Sequence, residues 1–307
     1  MKVLSLFDGM ACGMLAMQSV GINVERYVAF EIDKNAVKTS SYNFPMIEHR
    51  GDVFKADFSE FSGFDFLIGG SPCTYWSIAQ KNNRETEASG IGWELFSQYV
   101  RALHEAKPLY FIYENNKTMS KAIRDSITST FGFEPICINS ALVSAQRRLR
   151  LYWVGVRNQD GTYSKADIPM PIDRKLYLDN VLTDADFAEY NGGSFIREKQ
   201  DLSDNCDRTY RIGATGKSGG QAVRVYDLKG KSVTINSQAG GGGAKTGLYL
   251  HKGVVKSLAK SGVAKLQTVP DWYNFPCSEQ RAITLMGNGW TVEVISHILS
   301  YICEVRK

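Results

Sequence analysis

Over its first 156 residues the sequence alternates short apolar runs with amphipathic stretches of helical length, an order that few architectures accept. KVLSLF is followed by 12–20, RYVAFE by 34–43, FDFLIGG by 93–106 and LYFIYE by 118–131. Strand-length runs separated by helix-length stretches imply βαβ units, because a parallel neighbour is reached only through a crossover. The predicted fold class is therefore α/β: a doubly wound, Rossmann-like domain with a mainly parallel sheet. In such sheets ligands lie beyond the carboxyl ends of the strands.

After RLYWVGVRN the character changes. IPMPID reads as an exit linker, and 173–265 is rich in Gly, Ser, Asn and basic residues, with strand-like pieces in QAVRVYDL and SVTINS. This segment is expected to form a smaller, loop-rich, β-containing domain, with SQAGGGGAKTG as a mobile loop inside it. GNGWTVEVISHILSYI spaces Val292, Ile295, Ile298 and Leu299 as an amphipathic helix returning to the first domain. The expected division is 1–172, completed by 266–307, with 173–265 as the second domain. Between Arg208 and Lys265 stand eleven Lys or Arg and one acid, Asp227, against a net charge of +4 for all 307 residues. Such a local excess attracts a phosphate backbone, although a solvated basic surface has the same composition. No run is long and apolar enough to cross a bilayer, and the leading MKVLSLFDGMACG meets an aspartate too early for a signal segment. Six cysteines at 12, 73, 137, 206, 277 and 303, without a CxxC pair, suggest reduced thiols and no metal site. The expected location is cytoplasmic.

VLSLFDGMACG is a strand, a glycine-containing turn and a helix start. Its spacing is Gly9-x-x-x-Gly13 rather than GxGxxG, so a pyrophosphate is not indicated, and an ordinary βα turn would read alike. Glu31, at the end of the second strand, can accept both hydroxyls of a ribose, and Asp52 in GDV can accept from an adenine amino group. Together these describe an adenosine site without a phosphate clamp, and S-adenosylmethionine fits it. Phe7 and Trp290 offer aromatic faces to the sulfonium, worth about 0.5–2 kcal/mol each, although isolated aromatics are also ordinary core residues.

IGGSPCTYWS places Cys73 on a polar turn just past an apolar strand, whereas a packing cysteine belongs inside the run. Pro72 stiffens that turn. LYFIYENN ends a neighbouring strand in Glu114, where burial favours sharing a proton with a base nitrogen; a carboxylate at a helix start is the alternative. QRRLRLYWV alternates Gln146, Arg148 and Arg150 on one strand face, able to orient Glu114 or contact a base oxygen, or simply to form a basic edge.

SLFDGMACG, GINVERYVAFE, GDV, FDFLIGGSPCTYWS, YENN, QRRLR, KLQTVPDWY and GNGWTVEVISHIL resemble, in order, the motifs of the cytosine-C5 DNA methyltransferase family. SLFDG, IGGSPC and the GxxWxVxVIxH ending look like its de novo class, and the length looks like a compact bacterial or phage member. The resemblance implies an S-adenosylmethionine-dependent methyltransferase domain with a target-recognition domain at 173–265. It implies that Cys73 adds to C6 of a flipped-out cytosine, that Glu114 holds or protonates N3, and that Arg150 with Arg148 supports base and carboxylate. It adds Asp8, Cys12, Ile32, Val53, Pro72, Leu95 and Asn288 to Phe7, Gly9, Gly13, Glu31, Asp52 and Trp290 around the cofactor. Ser77 and Gln80, in or beside the loop AQKNNRETEASGIG, and Arg211, Gln221, Arg224 and Gln238 are the candidates for contact with double-stranded DNA. No obligate protein partner is indicated, and a nucleoid location would follow. The chain departs from the pattern at Asn116, where a hydrophobic residue is usual, and at Lys265, where arginine is usual; Trp290 departs from the common bacterial residue. An RNA-modifying branch of the same chemistry, argued against by the basic segment, and a non-catalytic DNA-binding module, argued against by Cys73, Glu114 and Arg150, are the competing readings.

Overall fold

Strand β1, Lys2–Leu6, buries every residue after Lys2, and β4, Phe66–Gly69, is buried throughout, as expected of parallel strands covered on both faces. The computed structural model describes residues 1–77, 84–216, 220–237 and 243–304. Between and after those strands come α1 Cys12–Ser19, β2 Arg26–Phe30, α2 Lys34–Asn43, β3 Glu48–His49, α3 Gly90–Ala106, β5 Tyr110–Asn116, α4 Lys121–Phe131, β6 Ile136–Asn139, β7 Leu149–Arg157 and β8 Tyr163–Lys165. The four strands and four helices expected in 1–131 are therefore present, with ends shifted by a few residues.

The sheet runs β3-β2-β1-β4-β5-β7-β6, with β8 paired to β7. β1 to β5 pair in parallel, whereas β7 is antiparallel to both β5 and β8. Chain direction across the sheet reverses at β1, which has β2 on one side and β4 on the other. The carboxyl ends of β1 and β4 thus form the topological switch point where a doubly wound sheet binds its ligand. Leu4, Leu6, Val28, Phe30, Leu67, Phe111 and Tyr113 share a core with Phe96, Tyr99, Ile123, Ile127 and Phe131 of α3 and α4. Aromatic rings supply much of the volume of this core, and Tyr113 meets Phe96, Tyr99 and Phe131 with ring centroids 4.9–5.6 Å apart. On the opposite side Gly13 of α1 lies against Ile68 and Tyr27.

Two compact units emerge: Met1–Ile138, Leu149–Met170 and Ser296–Lys307 form one, Asn139–Arg148 and Pro171–Ile295 the other. The second holds α5 Leu178–Val181, β9 Phe187–Glu189, β10 Ile196–Arg197, β11 Arg211–Ala214, β12 Arg224–Tyr226, β13 Leu248–His251, β14 Val254–Leu258, α6 Lys260–Leu266 and α7 Glu279–Asn288. Its sheet runs β10-β11-β12-β13-β14-β9, antiparallel except for β12 with β13. The strand expected in QAVRVYDL is β12. SVTINS is not a strand: Ser232 makes an isolated bridge to Gln146, its N–H donating to Ala145 O at 2.7 Å. The alternation there serves to place donors on 145–147, not to extend a sheet. Helix α8, Val292–Glu304, matches the expected terminal helix, with Ile295, Ile298 and Leu299 fully buried. Its Ser296 Oγ lies 2.6 Å from Ser19 Oγ at the end of α1. Among the described residues no helix is long and apolar enough to cross a membrane, and no three His, Cys, Asp or Glu are grouped to hold a metal.

Candidate active site

β4 ends at Gly69, and Cys73 opens a 3-10 turn, Cys73–Tyr75, just beyond it. The Trp76 and Ser77 N–H groups both donate to the Cys73 carbonyl, at 3.0 and 2.9 Å, so the thiol sits on a closed turn. Cys73 is half-buried and Pro72 exposed. The turn is tied to β5 from beneath: Ser71 Oγ meets Tyr113 OH at 2.7 Å, and Asn115 Nδ2 donates to Ser71 O at 3.1 Å and to Tyr113 OH at 3.2 Å. Gly70 makes the approach possible. A Cβ there would lie 2.6 Å from Glu114 O and 3.0 Å from Glu114 Oε2, so a side chain would push the thiol turn and the carboxylate apart. Ser71, Tyr113 and Asn115 were not among the expected site residues, although SPC and the second letter of ENN carried the signal.

Glu114 pairs in register with Tyr152 of β7, and Arg150, two residues before Tyr152, reaches across diagonally. Arg150 Nε lies 3.0 Å from Glu114 Oε1, with the two side chains 15% and 12% exposed. Arg150 also donates from Nη1 to Leu149 O at 2.9 Å. The pair is partly desolvated but retains access, which suits a carboxylate that must meet a substrate. Asn116 supports the same corner differently from the hydrophobic residue expected there: its Oδ1 accepts from Thr118 N at 2.9 Å and Thr118 Oγ1 at 2.7 Å.

The other half of the switch point is the turn after β1. Phe7, Gly9 and Ala11 all adopt left-handed backbone, φ 57°, 59° and 60°, two of them against the cost of a Cβ. Gly9 N donates to Glu31 Oε2 at 2.8 Å, while Glu31 Oε1 accepts from the N–H groups of Ile32 and Asp33, also at 2.8 Å. With two N–H donors on Oε1 and one on Oε2, Glu31 keeps an acceptor site on Oε2 for a further hydroxyl. Asp52 caps the 3-10 turn Val53–Lys55 through Phe54 N at 3.0 Å; Val53 is buried, and Ile32 is 76% exposed beside it in sequence to Glu31. Cys12 is buried at the start of α1, and Leu95 of α3 packs on the core. Asn288 and Trp290 belong to the second unit, the first exposed and the second half-buried.

Asp8 is the unusual member. Its Oδ1 accepts from Ser5 Oγ at 2.6 Å and Tyr27 OH at 2.7 Å, but Oδ2 is shut from solvent without a hydrogen-bond partner among the described residues. Burial pushes its carboxyl up to about 6, against the lowering effect of the Ser5 and Tyr27 hydroxyls and with a further upward push from Glu31. The turn thus carries two carboxylates, Glu31 with an acceptor site open on Oε2 and Asp8 with Oδ2 enclosed. The raised value means that Asp8 opposes folding once ionised. Its stabilising contribution is full below its ordinary value of 3.8 and is lost as pH rises through about 6. Asp8→Asn in the free protein should therefore gain on the wild type between those values, levelling at roughly 3 kcal/mol above them, by urea unfolding at a series of pH. A stability difference that does not vary with pH would refute it.

Arg148 lies before β7, in the second unit, where it is 3% exposed. It donates from Nη1 to Ile235 O at 3.0 Å and from Nη2 to Gly287 O at 2.9 Å and Gly289 O at 2.8 Å. Gln146 joins the same network, donating to Leu266 O and Gln267 Oε1 and accepting from Ile235 N at 3.0–3.1 Å. The expected single strand face of Gln146, Arg148 and Arg150 is thus not formed, because 140–148 leaves the ladder and supplies donors to buried carbonyls. The basic segment is also less free than its composition indicates. Arg211 pairs with Glu198, Lys252 with Asp184, Lys256 with Glu189 and Lys265 with Asp186. Lys231 is buried, donating to Ala141 O at 2.9 Å and Leu176 O at 2.6 Å. Gln221 donates to Ala244 O at 3.2 Å, Arg224 begins β12, and Ser77 is half-buried beside the thiol turn. Gln80 and Gln238 lie outside the described residues.

A family model described as C-5 cytosine-specific DNA methylase matches residues 1–304. The Type II methyltransferase M.HhaI of Haemophilus parahaemolyticus is 26% identical over 311 residues, covering 97% of this chain and 93% of that protein. The Type II methyltransferase M1.ScrFI of Lactococcus lactis subsp. cremoris is 26% identical over 321 residues, covering 100% of this chain and 79% of its own length. Among solved structures, S. pombe Dnmt2 methyltransferase superposes with TM-score 0.67 at 16% identity, over 100% of this chain and 99% of that one. The Entamoeba histolytica methyltransferase EhMeth does so with TM-score 0.68 at 12% identity, over 100% and 98%. At these identities the structures establish a shared fold.

Proposed function

Because the chain belongs to the C-5 cytosine-specific DNA methylase family, we propose that its cytosine-C5 methylation of DNA runs through Cys73 as nucleophile, with Glu114 and Arg150 as the groups that hold the base. The observation that carries this reading is the approach of the thiol turn after β4 to the carboxylate of the neighbouring strand β5, with Gly70 against Glu114. S-adenosylmethionine, the cofactor of this enzyme, supplies an electrophilic methyl group. Glu31, Asp8, Asp52 and the turn at Gly9 are the residues of the first unit that would hold it.

The chain's own work is to make C5 of cytosine nucleophilic. Cys73 Sγ, as thiolate, forms a bond to C6, and the electron pair of the C5–C6 double bond shifts into C5 and the ring. Glu114 holds the proton at N3 that this charge requires, and Arg150 keeps Glu114 oriented through the Nε contact. After methylation at C5, the C5 proton leaves to water, the electron pair re-forms the double bond, and Cys73 departs as thiolate. Access to a ring inside a duplex requires extrusion of the base at a cost of a few kcal/mol, so double-stranded DNA must be gripped over a wider surface. We assign that grip and the reading of sequence to 173–265, with Arg211, Gln221 and Arg224 as the first side chains to substitute.

A double-stranded substrate carrying 5-fluorocytosine at the target position tests the covalent route, since fluorine does not leave as a proton. The expected product is a complex stable to denaturant, with the added mass on the peptide that contains Cys73. A complex that dissociates completely would remove the adduct from the mechanism. Trapping on RNA but not on DNA of the same sequence would overturn the substrate assignment.

A further inference from the structure

Behind the thiol turn, Arg84 to Gly92 carries a set of contacts that substrate chemistry does not account for. Trp76, three residues after Cys73, is fully buried, and a buried indole N–H needs an acceptor. Glu85 Oε2 provides it at 3.0 Å. The same carboxylate accepts from Gly92 N, in the first turn of α3, at 3.2 Å through Oε1 and 3.1 Å through Oε2. The Glu85 N–H donates to Tyr75 O at 2.8 Å. Arg84 extends the arrangement to the turn after β5: its Nε donates to Trp76 O at 3.2 Å, and its Nη2 donates to Thr118 O, four residues beyond Glu114, at 2.8 Å. The chain is shaped to this carboxylate. At Gly92 a Cβ would lie 2.4 Å from Trp76 Nε1 and 2.5 Å from Glu85 Oε2, and at Gly90 one would lie 2.5 Å from Glu85 Oε1, so the contact requires glycine at both positions.

We propose that Arg84 and Glu85 are positioning residues, a clamp that fixes the turn bearing Cys73 against the start of α3 and the strand end bearing Glu114. The inference rests on the roles given above to Cys73 and Glu114, and it adds how their separation is held. Neither clamp residue touches the reacting atoms. The effect is geometric: displacement of a nucleophile by about 1 Å costs on the order of 10²-fold in rate.

The test uses the full chain with Glu85→Ala, Glu85→Gln and Arg84→Ala. Four quantities are read: exchange of the cytosine C5 hydrogen with solvent in DNA without cofactor, in which Cys73 adds, C5 gains a solvent proton and loses its own, and Cys73 departs; cofactor affinity by calorimetry; amide deuterium exchange over 73–77; and melting temperature. Glu85→Ala should slow C5 exchange and kcat alike, by on the order of 10²-fold, while cofactor affinity stays within about twofold. Amide exchange at Trp76 and Ser77 should rise at least about tenfold. Glu85→Gln, which keeps one acceptor oxygen, should recover part of both effects. Unchanged amide exchange at 76 and 77 in Glu85→Ala overturns the clamp, and so does a parallel loss of cofactor affinity and melting temperature, which marks general unfolding. A wild type that methylates but never exchanges the C5 hydrogen refutes the Cys73 route instead, and the amide readout still decides the clamp.

Discussion

Cys73→Ala should reduce methyl transfer below detection, a loss on the order of 10⁵-fold or more if the thiol carries the covalent step, as when other enzymes lose their nucleophile. Cofactor and DNA affinity should remain within a few-fold, because Glu31, Asp8, Asp52 and the turn at Gly9 lie apart in sequence from the thiol turn, and alanine leaves Pro72 in place. Folding should also survive. The side chain is half-buried, and the turn is closed by the backbone of Cys73, Trp76 and Ser77, which alanine keeps. The measurement is transfer of labelled methyl from cofactor to DNA beside equilibrium binding of both. Retention of more than about a hundredth of the wild-type rate would mean that C5 is activated without a thiol, because background catalysis by binding and electrostatics alone is smaller.

Glu114→Gln is the second large effect, expected at 10²- to 10⁴-fold in kcat, the usual range for a group that shares a proton in the transition state. Glutamine keeps the shape of the side chain and an oxygen for Arg150 Nε, so the loss of a carboxylate is separated from the loss of a contact. The stability cost should be small: the pair at 3.0 Å is only partly withdrawn from water, and a neutral partner leaves Arg150 with its bond to Leu149 O. Arg150→Ala should cost less in rate than Glu114→Gln but more in melting temperature, because it strips a desolvated carboxylate of its cation. If Glu114→Gln retained full kcat while Arg150→Ala lost it, the roles of acid and orienter would have to be exchanged. Fluorocytosine trapping should still occur in Glu114→Gln, more slowly, since addition by Cys73 is hindered rather than removed.

Much of this site was legible in the chain because its motifs are short and local. A βα turn, a Pro-Cys turn and a Glu-Asn turn each follow an apolar run, and a parallel sheet brings the ends of its strands to one edge whatever the helices between them contain. Glu31, Asp52, Cys73 and Glu114 follow from that rule alone. Ser71 and Asn115 do not, because what selects them is the orientation of a side chain beneath a turn, and sequence periodicity carries no such information. Glu85 and Trp76 were hidden for the same reason: a glutamate in a polar stretch reads as solvated until a buried indole is found facing it.

The sequence by itself determined the order of strands and helices in the first 131 residues, the amphipathic terminal helix, and the residue types at the reacting edge. These depend on nearest neighbours and on the periods of strand and helix. Only the tertiary structure decided which charges are spent internally. Acids at 184–198 fold back onto Arg211, Lys252, Lys256 and Lys265, so a window that counts as strongly basic presents a weaker field. Arg148 and Arg150, two residues apart, part company because one leaves the ladder to satisfy buried carbonyls while the other stays in it and meets Glu114. Asp8 acquires its raised pKa from burial that no local pattern records. Burial and partnership are properties of three-dimensional neighbours, and the neighbours that matter here are separated by tens of residues along the chain.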